Sequence, residues 1–323
     1  MNINIIKSLS TAAVFLCCMT SMVVHAQDVS LKPDATCVYV VREADSLHLD
    51  IYRPAPGAET TLDGKTKPAI LNVTGGGFGG GTRDNALFMP WFKDLLDRGY
   101  PVISIDYRLY MKGRRAVGNE LGISLKKAVE IATEDLIAAT AWLLENGAEY
   151  GIDARNMVLT GGSAGAITVL QAEYEVCNGT PMTTILPEGF DYAGIMAFAG
   201  AIFPDSGKPV FARKPCPIML LHGEDDMVVP YDRYLKNKMN FYGTKSIAKI
   251  LNDNKFINWT LRFPKHRHEI AGGMLVTVDI QDAFIRSEVI GKVGSSVDAS
   301  VDWPNKPSGK NPVLTWLYDG KKH

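Results

Sequence analysis

Apolar side chains recur along this chain in two ways. Short apolar runs are bounded by glycine, proline or polar residues; they cover 68–74, 101–105, 157–160, 192–199, 218–221 and 259–263. Longer segments between them carry apolar residues at helical spacing; these are 85–98, 132–149 and a segment that starts at 164. Short bounded runs indicate buried strands, and strands that alternate with helices indicate a mostly parallel sheet covered on both faces.

Other segments add to this α/β pattern. Residues 37–41 and 47–52 are β-rich runs separated by polar residues, which predicts an N-terminal antiparallel hairpin. The segment 110–129 shows no clear period and is expected to be irregular, whereas 231–251 is expected to be helical. A closing helix is predicted from about Glu269, and an irregular tail over 291–323.

Length and charge bound the organisation of the chain. With 323 residues, 46% of them hydrophobic, the segment 27–323 is long enough for a single large domain. The net charge of −1 gives no indication of nucleic-acid binding. Cations at 112, 114, 115, 126 and 127 fall in the irregular segment. They indicate either a solvated surface or, over about 107–131, part of a cap that receives an acidic or polar substrate group.

The first 26 residues have the features of a secretory signal peptide. A charged start at Lys7 precedes an apolar centre over 12–19 and a small-residue cleavage site at 24–26. The apolar centre is shorter than the roughly 20 residues that a transmembrane helix needs. The sequence therefore predicts a secreted or periplasmic protein without stable membrane insertion after cleavage.

Three of the five cysteines remain after the predicted cleavage. They are Cys37, Cys177 and Cys216. An odd number allows at most one disulfide, and the sequence does not decide whether one forms. The spacing of these cysteines is not that of a metal site, so no metal is expected.

A glycine-flanked serine ends one of the buried runs. Residues 157–160 lead into Gly161-Gly162-Ser163-Ala164-Gly165, and apolar residues at helical spacing follow. A strand, a tight turn and a helix form the context in which G-x-S-x-G carries a nucleophile. Gly161 and Gly165 leave room for the turn, which would expose Ser163 at the carboxyl end of the strand.

A second glycine-rich segment follows the run 68–74. Residues 75–81 contain six glycines and one phenylalanine, a composition that suits close backbone approach rather than core packing. If Ser163 attacks a carbonyl group, backbone N–H groups must stabilise the oxyanion that forms. The predicted donors are Gly76, Gly77 and Ala164, the residue after the nucleophile.

A serine nucleophile needs a histidine base and a carboxylate that orients it, in the chain order serine, acid, histidine on this type of sheet. His268, just before the predicted closing helix, is preferred over His266, which is expected to be solvated. Asp226 is preferred as the acid because an apolar segment follows it, while Asp225 and Glu224 remain alternatives. His222 precedes these acids and is expected to be a partly buried structural histidine.

The order of these segments resembles that of α/β-hydrolase carboxylesterases, above all secreted esterases and the hormone-sensitive-lipase-like branch. The segments are Thr74-Gly75-Gly76-Gly77-Phe78, Asp106-Tyr107-Arg108-Leu109, Gly161-Gly162-Ser163-Ala164-Gly165, the stretch 222–230 and His268-Glu269. The resemblance covers roughly residues 36–290 and implies the triad Ser163, Asp226 and His268. Thr74 stands where the family usually has a histidine that braces the glycine loop.

The resemblance implies a serine carboxylic-ester hydrolase that works through an acyl-enzyme, without a cofactor. Its expected partner is a small-molecule or carbohydrate ester, with acetyl or feruloyl esters of polysaccharides as the substrate hypothesis. The same triad also serves serine exopeptidases and acyltransferases. A non-catalytic binding protein on a hydrolase scaffold is a further alternative, since fold alone does not establish function. The sequence does not indicate an oligomeric state.

Overall fold

A computed structural model describes residues 29–43 and 45–303 of the chain. The predicted signal peptide, residues 1–26, and the last part of the predicted tail, residues 304–323, lie outside the described residues. Within them, no helix is long and apolar enough to cross a bilayer.

The described residues form a nine-stranded sheet with the order β1-β2-β6-β5-β7-β8-β10-β13-β14. Its strands are β1 (Ala35–Arg42), β2 (Asp45–Tyr52), β5 (Ala69–Val73), β6 (Val102–Ile105), β7 (Met157–Gly162), β8 (Gly194–Phe198), β10 (Ile218–Gly223), β13 (Asn258–Phe263) and β14 (Val297–Ser300). The hairpin β1–β2 and the β2–β6 pair are antiparallel. The other neighbouring pairs of this sheet are parallel; they join β6, β5, β7, β8, β10, β13 and β14 in that order. The predicted mostly parallel sheet with an N-terminal hairpin is therefore confirmed.

Two small sheets and five α-helices complete the described part. The small sheets contain β3 (Thr61–Leu62) with β4 (Lys65–Thr66), and β9 (Ala201–Ile202) with β11 (Arg233–Tyr234) and β12 (Phe241–Gly243). The α-helices are α1 (Met89–Asp97), α2 (Gly118–Asn146), α3 (Ala164–Asn178), α4 (Thr244–Asp253) and α5 (Val278–Phe284). A π-helical segment, Ile285–Ile290, continues α5.

Helices cover both faces of the large sheet because its parallel strands are apolar on both sides. Leu71 of β5 belongs to the core cluster that includes residues of α2, α3 and α4. Its neighbour Ile70 belongs to the opposite cluster, which includes residues of α1 and α5. Adjacent residues of one strand thus serve different cores, as the two-residue period of a strand requires.

The prediction of an irregular segment over 110–129 is wrong from residue 118 onward, where α2 begins. The buried positions in the first part of α2 include Leu121, Gly122 and Ala128, and two of these three residues are small. Such small residues give a weak hydrophobic period, so the first part of the helix does not stand out in the sequence. Residues 107–117 precede the helix without regular structure.

Three further segments differ from the predictions. The closing helix expected from about Glu269 is a 3₁₀ turn at His268–Gly272, and α5 starts only at Val278. The expected helical region 231–251 begins with the strands β11 and β12, and its helix α4 starts only at Thr244. The tail beyond Gly291 was expected to be irregular, but β14 pairs in parallel with β13. Burial alternates along β14 at this sheet edge, and four residues are too few for that alternation to stand out in the sequence.

The strand order brings the predicted functional segments to one edge of the sheet. Ser163 follows β7, the acidic loop follows β10, and His268 follows β13, while the glycine loop follows β5, a direct neighbour of β7. These strands are parallel, so their carboxyl ends lie together, which is where ligands bind in open α/β sheets.

Candidate active site

Ser163 occupies a sharp turn between β7 and α3. Its backbone has φ 56° and ψ −121°. Residues other than glycine rarely adopt this conformation, so the surrounding structure must enforce it. Its N–H donates to the carbonyl of Phe198 at the end of β8, 2.9 Å away. The turn therefore holds the hydroxyl at the carboxyl edge of the sheet, where the side chain is only partly buried.

The glycines of the motif are required by close backbone approach. A Cβ atom on Gly161 would lie 2.5 Å from the carbonyl carbon of Gly165. A Cβ atom on Gly165 would lie 1.9 Å from the carbonyl oxygen of Val73 in β5. Larger residues at these two positions would push β5, β7 and α3 apart, so the sequence interpretation of both glycines agrees with the packing.

A chain of hydrogen bonds joins Ser163, His268 and Asp226. Nε2 of His268 lies 2.8 Å from Oγ of Ser163, and Nδ1 of His268 lies 2.8 Å from Oδ2 of Asp226. A carboxylate accepts only, so Nδ1 carries the proton and Nε2 is left to accept from the serine hydroxyl. This is the arrangement that a serine nucleophile with a histidine base requires.

Asp226 is buried and held by several donors. Its Oδ1 accepts from the backbone N–H groups of Val228 (2.8 Å) and Val229 (3.1 Å). Burial alone would raise its pKa, but the hydrogen bonds from His222 and His268 outweigh burial and hold the pKa of Asp226 well below its usual range. The carboxylate is therefore ionised at neutral pH. Glu224 and Asp225, the alternative acids, are partly or fully exposed.

His222 is more closely tied to the site than the sequence suggested. It is fully buried rather than partly buried. Its Nε2 lies 3.1 Å from Oδ2 of Asp226 and 3.0 Å from the carbonyl of Val229, while Nδ1 lies 2.9 Å from Oγ1 of Thr244. The two acceptors place the proton on Nε2, and Nδ1 accepts from the threonine hydroxyl.

The expectation that His266 is solvated is wrong, since only 2% of it is exposed. Nδ1 of His266 lies 2.8 Å from Oε1 of Glu269, and Nε2 lies 3.2 Å from the carbonyl of Trp303. The carboxylate of Glu269 also accepts from the N–H of Arg267. His266 thus braces the loop that carries His268, and it is not among the contacts of Ser163.

The glycine loop packs directly on the serine turn. A Cβ atom on Gly75 would lie 2.7 Å from the carbonyl oxygen of Gly162 and 3.4 Å from Cβ of Ser163. In the part of the chain that the structure describes, the N–H groups of Gly76, Gly77 and Ala164 have no hydrogen-bond partner. All three predicted oxyanion donors are therefore unpaired, and the loop that carries Gly76 and Gly77 lies against the Ser163 turn.

Thr74 precedes this loop in place of the expected histidine. The carbonyl oxygen of Thr74 accepts a hydrogen bond of 3.0 Å from the buried hydroxyl of Tyr107. Arg83, at the exit of the loop, donates to Oδ2 of Asp106 at 2.6 Å. The Asp106-Tyr107 pair therefore fixes both ends of the glycine loop.

No group of three or more histidine, cysteine, aspartate or glutamate side chains within 29–43 and 45–303 is arranged to hold a metal ion. Cys37, Cys177 and Cys216 are free thiols.

Two family models match overlapping parts of the chain. A family described as BD-FAE matches residues 49–176, and a family described as Phospholipase/Carboxylesterase matches residues 124–254. Both matched segments contain Ser163, and the second also contains Asp226.

Several curated proteins are similar over part of the chain. An ethyl acetate hydrolase of Pseudomonas putida is 31% identical over 124 residues, which cover 38% of this chain and 33% of that protein. Carboxylesterase 5A of Ovis aries is 32% identical over 162 residues, 50% of this chain and 36% of that protein. The match to esterase B1 of Culex pipiens covers 39% of this chain and 21% of that protein. The chain thus spans about a third or less of the length of these relatives.

Solved structures of esterase 2 from Thermogutta terrifontis are similar over most of the described fold. The native form has a TM-score of 0.57 at 20% identity and covers 78% of this chain and 91% of that chain. The propionate-bound form has the same TM-score and covers 78% and 93%. At this identity the likeness concerns the fold.

Proposed function

We propose that this chain, which has the α/β-hydrolase fold expected from its sequence, is a serine carboxylesterase that acts through an acyl-enzyme. One observation carries the proposal: the hydrogen-bond chain from Asp226 through His268 to Ser163, with 2.8 Å at each step. A buried carboxylate, an oriented imidazole and a serine on a strained turn are the parts that covalent acyl transfer needs.

In the proposed reaction, Nε2 of His268 takes the proton of Ser163 while Oγ attacks the ester carbonyl. The bond that forms joins Oγ to the carbonyl carbon, and the carbonyl oxygen becomes an oxyanion. The imidazolium then gives its proton to the alkoxide that leaves as the carbonyl re-forms. A water molecule, deprotonated by His268, attacks the acyl-enzyme and releases the acid and the free serine.

The free N–H groups of Gly76, Gly77 and Ala164 support this mechanism, because each oxyanion donor is worth about 2.7–4 kcal/mol in an active site. The ionised Asp226 stabilises the imidazolium that forms during the attack. Both contributions act on charge that develops in the transition state, which is the charge that an enzyme must stabilise.

Short-chain esters are the proposed substrates, with acetyl or feruloyl esters of polysaccharides as the natural class. The named activity of the Pseudomonas putida relative and the propionate- and butyrate-bound forms of the structural neighbour support a small acyl group. Export to the periplasm or beyond remains part of the proposal. N-terminal sequencing of exported protein, with Gln27 as the expected first residue, would test it.

Hydrolysis of p-nitrophenyl acetate, butyrate and octanoate tests the activity, with acetylated xylan in parallel. Ser163→Ala should abolish turnover, and Asp226→Asn should reduce kcat by about 10⁴-fold because the histidine loses its correct tautomer. Asp225→Asn is the matched control: the residue is adjacent, has the same chemistry and is exposed. It should retain near wild-type turnover.

Preference for acetate together with acetate release from xylan would support the substrate class. Turnover of p-nitrophenyl esters without release from xylan would support the esterase and contradict the polysaccharide. Transfer of the acyl group to an added sugar in place of water would indicate an acyltransferase. A wild-type protein that hydrolyses no ester and is not labelled by a fluorophosphonate would contradict the proposed function.

A further inference from the structure

A loop that carries exposed cations packs against the glycine loop. The N–H of Met111 donates to the carbonyl of Phe78 at 2.9 Å, and a Cβ atom on Gly79 would lie 3.3 Å from the carbonyl oxygen of Met111. The glycine loop in turn lies on the Ser163 turn, as shown above. The glycine loop therefore lies between residues 109–117 and Ser163.

A second loop with exposed cations, which contains the two-residue strand β11, continues from the segment that holds the acid. Residues 231–240 follow directly after Val229 and Pro230, whose segment binds Asp226 and His222. This loop meets the start of α2, because a Cβ atom on Gly122 would lie 1.9 Å from the carbonyl oxygen of Asn237. Since α2 begins just after residues 109–117, the two loops converge beside the candidate active site.

Together the two loops form what we term the basic rim. Its members are exposed cations: Lys112, Arg114, Arg115, Arg233, Lys236 and Lys238. Across the described ranges, none of these six forms an ion pair. The guanidinium of Arg114 lies 4.0 Å from the centre of the Tyr110 ring and donates to the backbone carbonyl of that residue.

Acidic groups neutralise the basic rim only in part. Asp232, within the second loop, pairs with Lys245 at 3.2 Å, accepts from the hydroxyl of Ser246 at 2.6 Å and also interacts electrostatically with Arg233. The exposed acids on the adjoining segments are Asp84, Glu120 and Asp225, so the six cations of the basic rim outnumber these three anions. This excess is local, since the whole chain has a net charge of −1. Uncompensated charge of one sign beside a cleft raises the local concentration of oppositely charged substrates.

We infer that the basic rim binds the carboxylates of an acidic carbohydrate, so that the preferred substrate is an acyl ester on a sugar chain that contains uronic acid residues. The inference rests on the proposed esterase function and narrows its substrate class. The six cations are spread along two exposed loops and do not converge on one enclosed site. Such a spread matches charges repeated along an extended polymer better than a single small anion.

The test compares acetylated xylo-oligosaccharides with and without a glucuronic acid branch. The measured quantity is the ratio of kcat/KM for the acidic substrate to kcat/KM for the neutral one. In Lys112→Glu/Arg114→Glu/Arg115→Glu the ratio should fall about tenfold, within the range of rate effects that electrostatic steering produces. For the wild type it should also fall as salt rises from about 0.05 M to about 0.5 M, since salt screens exposed charges.

The matched control is Arg155→Glu/Lys255→Glu/Lys292→Glu, which changes the net charge by the same amount. These exposed cations precede β7, β13 and β14, so they lie at the amino ends of the strands, opposite the candidate site. This variant should keep the wild-type ratio. Circular dichroism and thermal unfolding establish that both variants are folded.

An unchanged ratio in the folded rim variant would overturn the inference, and so would an equal fall in the control variant. Either result would leave the proposed esterase intact as long as the wild type hydrolyses p-nitrophenyl acetate. A wild type that cleaves no ester would contradict the proposed function itself, and it would remove the basis of this inference as well.

Discussion

Replacing His222 by leucine tests how the carboxylate of Asp226 is held in place. Nε2 of His222 donates to the same oxygen, Oδ2, that accepts from His268, and the ring is fully buried. Leucine fills much of the space but donates nothing. The carboxylate then keeps the two backbone donors on Oδ1, but Oδ2 is oriented by His268 alone.

A hydrogen bond to a charged group is worth about 1.5–3 kcal/mol. If this interaction holds Oδ2 in the geometry that the transition state requires, its loss should lower kcat by about 10- to 100-fold, at about 1.4 kcal/mol per factor of ten. His222→Leu also leaves the hydroxyl of Thr244 and the carbonyl of Val229 without their partner. Thermal stability should therefore fall as well.

A His222→Gln variant separates the effect of the hydrogen-bond donor from the effect of the volume of the imidazole ring. A glutamine amide can donate to Asp226, so this variant should recover most of the lost kcat. Turnover is measured per active site, titrated with a fluorophosphonate, so that loss of folded protein does not count as loss of activity. Wild-type kcat per titrated site in His222→Leu would refute the positioning role, as would equal losses in both variants.

Three further predictions concern other parts of the structure. His268→Ala should abolish ester turnover, whereas His266→Ala should mainly lower the melting temperature, because His266 braces the loop and does not contact Ser163; a pair of kinetic and unfolding measurements checks this. Gly76→Ala should reduce kcat by about 10²-fold or more, because its Cβ would lie 2.4 Å from the carbonyl oxygen of Gly80. Gly77→Ala meets nothing within 4 Å and should be milder, although its φ of 61° costs about 1–2 kcal/mol with a side chain; similar kcat losses in the two variants would contradict this steric explanation. Burial raises the pKa of Glu173 from 4.5 to about 7, against the lowering effect of hydrogen bonds from Cys216 and Cys177. The folded state then binds more protons than the unfolded state between these values, so stability should decrease as pH rises through about 7, by up to about 3 kcal/mol. Glu173→Gln should reduce the pH dependence of stability and raise the melting temperature at alkaline pH. The same pH dependence in the wild type and in Glu173→Gln would contradict this role of Glu173.

The sequence allowed the sheet and the order of functional segments to be predicted because both depend on local signals. Apolar runs bounded by turn residues located the parallel strands, and the polar gap after Val41 located the hairpin. The proposed triad residues followed from chain order and from the carboxyl ends of strands. These features depend on a few neighbouring residues or on the order of strands in the sheet, so they can be predicted from the sequence.

Contacts between distant segments were not predictable in the same way. His266 lies between Lys265 and Arg267, a polar context that suggests exposure, yet Trp303 and Phe263 pack around its ring. The contact between the Tyr107 hydroxyl and Thr74 spans 33 residues of sequence and has no local signal. The start of α2 was hidden because its buried face includes small residues, which give little hydrophobic contrast.

Covalent labelling of Ser163 tests the central claim most directly. The wild-type protein is incubated with a fluorophosphonate, digested and analysed by mass spectrometry, beside the Ser163→Ala and His268→Ala variants. We expect the phosphonyl adduct on the peptide that contains Ser163, no adduct in Ser163→Ala, and strongly slowed labelling in His268→Ala because the base is missing. Labelling at another residue, or a wild-type protein that reacts no faster than His268→Ala, would contradict the proposed nucleophile and its mechanism.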